Sequence, residues 1–192
     1  FEVVVTAYGL TETCGVVSIC RADDSAERIS HTSGRAMVGG ELKCVDRDGR
    51  TVPAGTDGEI WYRGFNVMQH YFNNAEATRD AFADGGWLRT GDVGMMDEDG
   101  YVRITDRVKD MFIVGGFNCY PAEIENILCG MPGVARAAVI GVPDDRMGEV
   151  ARAFLVKVAG AQLDEASVID WARGNMANYK VPRRVAIVDA LP

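Results

Sequence analysis

Over the first half of this 192-residue chain, apolar runs are short and punctuated by turn sequences. Phe1-Glu-Val-Val-Val-Thr6 is apolar and β-branched and reads as a strand already under way. Residues 1 to about 20 then give a strand, a loop and a second apolar segment. Ala36–Asp46 is a strand candidate closed by Asp46-Arg-Asp-Gly-Arg50, a good turn sequence. Glu59–Arg63 is another strand, preceded by Pro53-Ala-Gly-Thr-Asp-Gly58. Asn73–Phe82 has helical character, with Asn73 as N-cap and Glu76 completing a capping box. Asp97-Glu-Asp-Gly100 turns the chain between two short strands, Val93–Met96 and Tyr101–Thr105. Such a succession of strands and hairpins predicts a small barrel or sandwich.

The second half changes period. Pro121 marks a helix start, Ile124, Ile127 and Leu128 fall on one face, and Cys129-Gly130 followed by Pro132 stops the helix. Val134–Val142 and Ala151–Val158 read as buried strands. Asp164 caps a helix running to Met176, with Val168, Ile169, Trp171 and Ala172 as its apolar positions. Arg184–Val188 is a last strand before a loop. This is a βαββαβ pattern of the α+β kind. Composition shifts near Lys109, so the chain reads as two domains, 1–108 and 109–192.

Charge narrows the field. The chain is 47% hydrophobic and 25% charged, as ordinary globular proteins are, with a net charge of −8. That acidity argues against a nucleic-acid surface, which needs clustered Lys and Arg. The longest apolar stretch, Ala137–Val142, is too short to span a bilayer. Five cysteines, Cys14, Cys20, Cys44, Cys119 and Cys129, include no C-x-x-C pair, and His31 and His70 lie far from any of them in sequence. The expectation is a reducing, cytoplasmic setting with buried or incidental thiols and no Cys/His metal site.

Candidate chemistry sits in three segments. In Tyr8-Gly-Leu-Thr-Glu12, a Gly after an aromatic allows close backbone approach to a planar ligand. Thr11 offers a hydroxyl to a phosphate oxygen, and Glu12 a hard oxygen to Mg²⁺. In Trp87-Leu-Arg-Thr-Gly-Asp92, a carboxylate on a tight glycine turn suits both hydroxyls of a ribose through charge-assisted hydrogen bonds. The third segment runs from Thr105-Asp-Arg-Val-Lys-Asp110 into Gly115-Gly-Phe-Asn-Cys-Tyr-Pro-Ala-Glu-Ile-Glu125. Its paired glycines suggest passage of a ligand past the backbone. Taken singly each segment has a plainer reading: a strand end with a turn, an Asx turn, a surface charge cluster.

In this order and at this spacing the segments resemble the adenylate-forming superfamily of acyl-CoA ligases, luciferases and peptide-synthetase adenylation domains. The resemblance covers essentially the whole chain. It implies an α/β and α+β architecture: the end of a large AMP-binding N-terminal domain with a small β-barrel-like subdomain (1–108), a hinge, and a mobile α+β C-terminal domain (109–192). It implies that Tyr8 packs on adenine with Gly9 as a further nucleotide-binding residue, Thr11 binds phosphate, Glu12 binds Mg²⁺, Asp92 accepts the ribose and Arg107 contacts ribose and phosphate. It further implies that Lys109 is the hinge and that Gly116 lines the CoA channel. Thr11, Glu12 and Arg107 are the catalytic candidates, and ATP, Mg²⁺ and CoA the expected cofactors. Asp106 stands where the family usually has Gly, and many acyl-CoA ligases carry an acidic residue at that point. Glu123 and Glu125, in the first turns of a helix whose dipole favours acids, are expected to be structural. So is Lys180 in Asn178-Tyr-Lys-Val-Pro182. The phosphate loop and catalytic Lys usual to the family are not among these residues, and the resemblance places them before and after this chain.

Gly-Gly-Phe-Asn-Cys-Tyr-Pro after Val114, and Gly55-x-x-Gly-Glu-Ile-Trp61 with Gly64, are similar to acyl- and aryl-CoA ligases rather than to peptide-synthetase domains. The expected function is therefore that of a fragment of an ATP-dependent carboxylate–CoA ligase, in a setting such as fatty-acid metabolism. Its partners would be a small carboxylic acid, ATP and CoA, with a homodimer as the oligomer that fits. An acyl-AMP ligase loading a carrier protein, and a non-catalytic scaffold or weak nucleotide binder, stay open as alternatives. The fragment alone is expected to be inactive.

Overall fold

Strands joined by tight turns build the first half of the chain in the computed structural model, which describes residues 4–191. Two units emerge, Phe1–Val108 and Lys109–Pro192. In the first, β1 (Ala7–Tyr8), β2 (Ser18–Ile19) and, after helix α1 (Ala26–His31), β3 (Arg35–Ala36) form an antiparallel sheet in the order β1-β2-β3. A second sheet follows from β4 (Gly40–Val45), β5 (Gly58–Gly64), helix α2 (Ala75–Ala81), β6 (Phe82–Ala83), β7 (Trp87–Met96) and β8 (Val102–Arg107). Its order is β4-β5-β7-β6 with β8 also on β7, and it curls as a half-barrel. Cys44, Ile60 and Val102 seal its inside, with Leu42, Val52, Met96 and Ile104 packed against them.

Several local expectations shift. The strand expected over Phe1–Thr6 lies in part outside the described residues, and Val4–Thr6 is irregular, so pairing starts at Ala7. Ala36–Asp46 is two strands, because Gly39 turns the chain at φ 82° and the Met37 carbonyl accepts the Gly40 amide at 2.8 Å. The N-cap of α2 is Asn74, whose side chain accepts the Ala77 amide. Asn73 stands before it in the left-handed region at φ 51°, so the box with Glu76 does not form. The strand expected at Val93–Met96 begins at Trp87, which moves the whole Trp87–Asp92 motif onto β7 rather than onto a turn.

The second unit follows its predicted pattern more closely. β9 (Phe112–Val114) and β10 (Phe117–Cys119) form a hairpin whose two turn residues, Gly115 and Gly116, have φ of 57° and 90°. Two consecutive positive φ values are what the tightest hairpin turn demands, and glycine adopts them without a Cβ penalty. Helix α3 (Pro121–Cys129) starts at Pro121 and ends at Gly130, whose amide reaches the Ile127 and Leu128 carbonyls. β11 (Val134–Asp144) and β12 (Gly148–Lys157) pair antiparallel, helix α4 (Glu165–Asn175) follows, and β13 (Arg184–Ile187) joins β12 in parallel. The sheet order is β10-β9-β12-β11. Asp164 caps α4 reciprocally with Ser167. Ile124 and Leu128 of α3 and Val168 and Ala172 of α4 meet Ala153 and Leu155 of β12 in one core, all with no measurable exposure.

Candidate active site

The buried carboxylate of Asp92 organises the first unit. Only 8% of its side chain is exposed. Two features of the fold bring it its partners. In the β7–β8 register Asp92 stands directly opposite Arg107, and the Arg107 Nε forms an ion pair with Asp92 Oδ1 at 3.1 Å. β1 delivers Tyr8, whose hydroxyl donates to Asp92 Oδ2 at 2.7 Å. A bulge presents the carboxylate: β7 carries two extra residues there, with Thr90, Gly91 and Asp92 set against Ile60 alone, Gly91 adopts φ 73°, and Thr90 donates to the Ile60 carbonyl at 2.6 Å. Glu59 steadies that bulge, accepting the Gly91 amide and the Trp61 indole. Burial pushes the Tyr8 phenol well above its ordinary value, and its bond to Asp92 adds to this, so the hydroxyl remains a donor.

Three residues far apart in sequence, Tyr8, Asp92 and Arg107, thus gather around one carboxylate, through a hydrogen bond from Tyr8 and an ion pair with Arg107. A carboxylate offers about four lone-pair sites, so two donors leave capacity for two more. The Arg107 side chain is 58% exposed and is the partner that can yield.

Thr11 and Glu12 fall in a single 3-10 turn, Thr11–Thr13. Thr11 is exposed and Glu12 half-buried. The Glu12 carboxylate accepts the Tyr71 hydroxyl at 2.8 Å. A Cβ on Gly9 would stand 1.5 Å from the Gly15 carbonyl oxygen, so the missing side chain admits the returning backbone. Among the described residues no group of three or more His, Cys, Asp and Glu gathers as a metal cage. A single half-buried carboxylate with one oxygen engaged fits a magnesium ion, which is typically held by one or two carboxylates and otherwise by phosphates and water.

The remaining expected residues belong to the second unit. Lys109 is exposed, in the turn that follows β8, and is the first residue of that unit. Gly116 forms the hairpin tip, and a Cβ on it would meet nothing within 4 Å. Beside it Phe117, 58% exposed, stacks on Tyr179 with ring centroids 4.7 Å apart. Lys180 donates to both oxygens of Glu123 at 2.6 and 2.7 Å, and the Glu125 carboxylate accepts the Val139 amide. All three are thereby engaged within the unit's own framework. The five cysteines are free, with Cys20, Cys44 and Cys119 buried.

The chain matches the AMP-binding enzyme family over residues 1–72 and the AMP-binding enzyme C-terminal domain over residues 123–192. It belongs to the adenylate-forming, AMP-binding enzymes. Within that family it is 52% identical over 191 residues to a 3-[(3aS,4S,7aS)-7a-methyl-1,5-dioxo-octahydro-1H-inden-4-yl]propanoyl:CoA ligase of Mycobacterium tuberculosis, covering all of this chain and 36% of that enzyme. It is 43% identical over 188 residues to a feruloyl-CoA synthase of an Amycolatopsis species, covering 98% of this chain and 38% of that one. Among solved structures, ATP-bound MatB from Rhodopseudomonas palustris superposes with a TM-score of 0.89 at 41% identity, over 97% of this chain and 37% of MatB. The chain therefore spans a little over a third of the length of the relatives it matches. No helix among the described residues is long and apolar enough to cross a membrane.

Motif reasoning missed the segment Asn66–Tyr71. The Asn66 amide donates to the Thr13 and Val16 carbonyls, both at 2.7 Å, and the Met68 amide donates to the Glu12 carbonyl at 2.7 Å. This stretch has no period and no strand or helix of its own.

Proposed function

We propose that the protein containing this chain is an ATP-dependent carboxylate–CoA ligase. The observation that carries the reading is the gathering of Tyr8, Asp92 and Arg107 into one donor–acceptor group. Asp92 accepts the ribose hydroxyls, Tyr8 supplies a flat phenol beside the adenine, and Arg107 neutralises phosphate charge as it leaves Asp92. Thr11 donates to a phosphate oxygen and Glu12 holds magnesium, which would supply charge neutralisation of the phosphates. These residues bind and orient, so their contribution to the first step is positioning and electrostatic stabilisation. In that step a substrate carboxylate oxygen bonds to the α-phosphorus of ATP and pyrophosphate leaves. In the second, the CoA sulfur bonds to the acyl carbon, AMP leaves, and the thiol proton goes to solvent. Lys109 is the hinge between the steps, and Gly116 gives the pantetheine arm a surface without a side chain. The cytoplasm and a homodimeric state belong to the same reading.

The test is to incubate the intact protein with ATP, Mg²⁺ and a panel of carboxylic acids, with and without CoA, and to read products by mass spectrometry. The bicyclic propanoate named for the Mycobacterium tuberculosis relative belongs first on the panel, followed by ferulate and long-chain fatty acids. Acyl-CoA and AMP are expected with one of them. Acyl-AMP that persists despite CoA would move the protein to carrier loading, and no AMP with any acid would overturn the ligase reading. Lys109→Pro should spare acyl-AMP formation and slow thioester formation, because proline fixes φ at the joint. Equal losses in the two half-reactions, measured by pyrophosphate exchange and by thioester yield, would contradict the hinge.

A further inference from the structure

We propose that Tyr71 is a positioning residue that holds the Glu12 carboxylate in the conformation that receives a nucleotide-bound divalent cation; this rests on the metal role proposed above for Glu12. Glu12 rides on a single 3-10 turn, too short to fix a side chain with three rotatable bonds. The fold fixes it from outside. The Met68 amide grips the Glu12 carbonyl at 2.7 Å, the Asn66 amide grips the Thr13 carbonyl at 2.7 Å, and the Tyr71 hydroxyl grips Glu12 Oε1 at 2.8 Å. Three bonds from one six-residue segment therefore hold both the main chain and the carboxylate of the turn.

Tyr71 is itself secured. Its amide donates to Thr78 Oγ1 at 2.9 Å, which ties the tyrosine to helix α2. With Tyr71 on Oε1, Oε2 is the oxygen left open, and the carboxylate would hold a cation as a single-oxygen ligand. Magnesium suits that arrangement, since it keeps octahedral geometry and takes few protein oxygens. A partner that orients a metal-binding side chain typically matters about 10- to 100-fold for metal affinity.

The experiment is calorimetric titration of the intact protein with ATP alone and with Mn²⁺–ATP, for the wild type, Tyr71→Phe, Glu12→Gln and the double variant. Tyr71→Phe removes only the hydroxyl and keeps the ring in place. The expected result is that Tyr71→Phe weakens Mn²⁺–ATP binding about tenfold and leaves metal-free ATP binding unchanged. Glu12→Gln should weaken Mn²⁺–ATP as well, and the double variant should be no weaker than Glu12→Gln alone. If Glu12→Gln weakens binding and Tyr71→Phe does not, the positioning role is overturned while the metal role of Glu12 stands. If Glu12→Gln has no effect, the metal role itself is wrong and the positioning role falls with it. If Tyr71→Phe weakens both titrations equally, Tyr71 only supports the fold, which also overturns the proposal.

Discussion

The two units solve the problem of burial differently. In the second, fourteen buried residues from Phe112 to Val181 make one core, and every one of them is hydrophobic. In the first, the described residues bury Thr13, Ser18 and Asp92 alongside the apolar side chains. Each finds a partner: Thr13 bonds back to Leu10, Ser18 donates to the Ser33 carbonyl, and Asp92 holds Tyr8 and Arg107. A buried polar group left without its partner costs its full desolvation, so these residues fix loop shape as much as they contribute stability. The unit rich in buried polar groups carries the candidate nucleotide residues, whereas the other has a framework that stands by apolar packing.

That contrast can be broken most sharply in the apolar core. Leu155→Ala should destabilise the second unit by about 2–5 kcal/mol, because the site is fully closed and a cavity remains. Native-state hydrogen exchange reads this by region: β11 and β12 amides should exchange faster while β5 and β7 amides keep their rates. Equal acceleration in both units would deny the separation. In the first unit the corresponding change is polar. Thr13→Val keeps shape but leaves the Leu10 amide without its acceptor, and should cost about 1–3 kcal/mol. Chemical denaturation would check the cost, and a neutral outcome would remove the polar half of the contrast.

The smallest expected effect sharpens the comparison through one thiol in each unit. Burial pushes Cys44 and Cys119 from an ordinary 9.0 up to about 11. A thiol that ionises less readily in the fold stabilises it only while protonated. Its contribution is therefore complete below pH 9 and lost as pH rises through about 11. Melting temperature should fall over that window. Cys44→Ala and Cys119→Ala should each flatten the fall, and a window unaltered by both would show that other groups cause it.

Much of this molecule is readable from residue order, and the exceptions share a cause. Local signals sufficed where the determinant is local: Asp164 capping α4, Pro121 opening α3, Gly115-Gly116 turning the β9–β10 hairpin. The spaced motifs named Tyr8, Asp92 and Arg107, but only the β7–β8 register places Arg107 opposite Asp92. The bulge at Gly91 depends on how β5 and β7 align, so Trp87–Asp92 read as a turn when it is a strand. Tyr71 and Asn66 act across more than fifty residues from a stretch with no period, and nothing local marks them. The close approach of the Gly15 backbone to Gly9 was not legible either, because it depends on how the intervening loop returns.

The most direct test of the account asks whether Asp92 accepts ribose. The affinities of the intact protein for ATP and for 2′-deoxy- and 3′-deoxy-ATP would be measured in the wild type and in Asp92→Ala. A charged hydrogen bond of about 1.5–3 kcal/mol predicts that the wild type favours ATP over at least one deoxy analogue by roughly tenfold or more. In Asp92→Ala that preference should vanish, with ATP binding weakened to the level of the analogue. A preference that survives the substitution unchanged would contradict the assignment of Asp92, and with it the reading of the Tyr8–Asp92–Arg107 group as the nucleotide site.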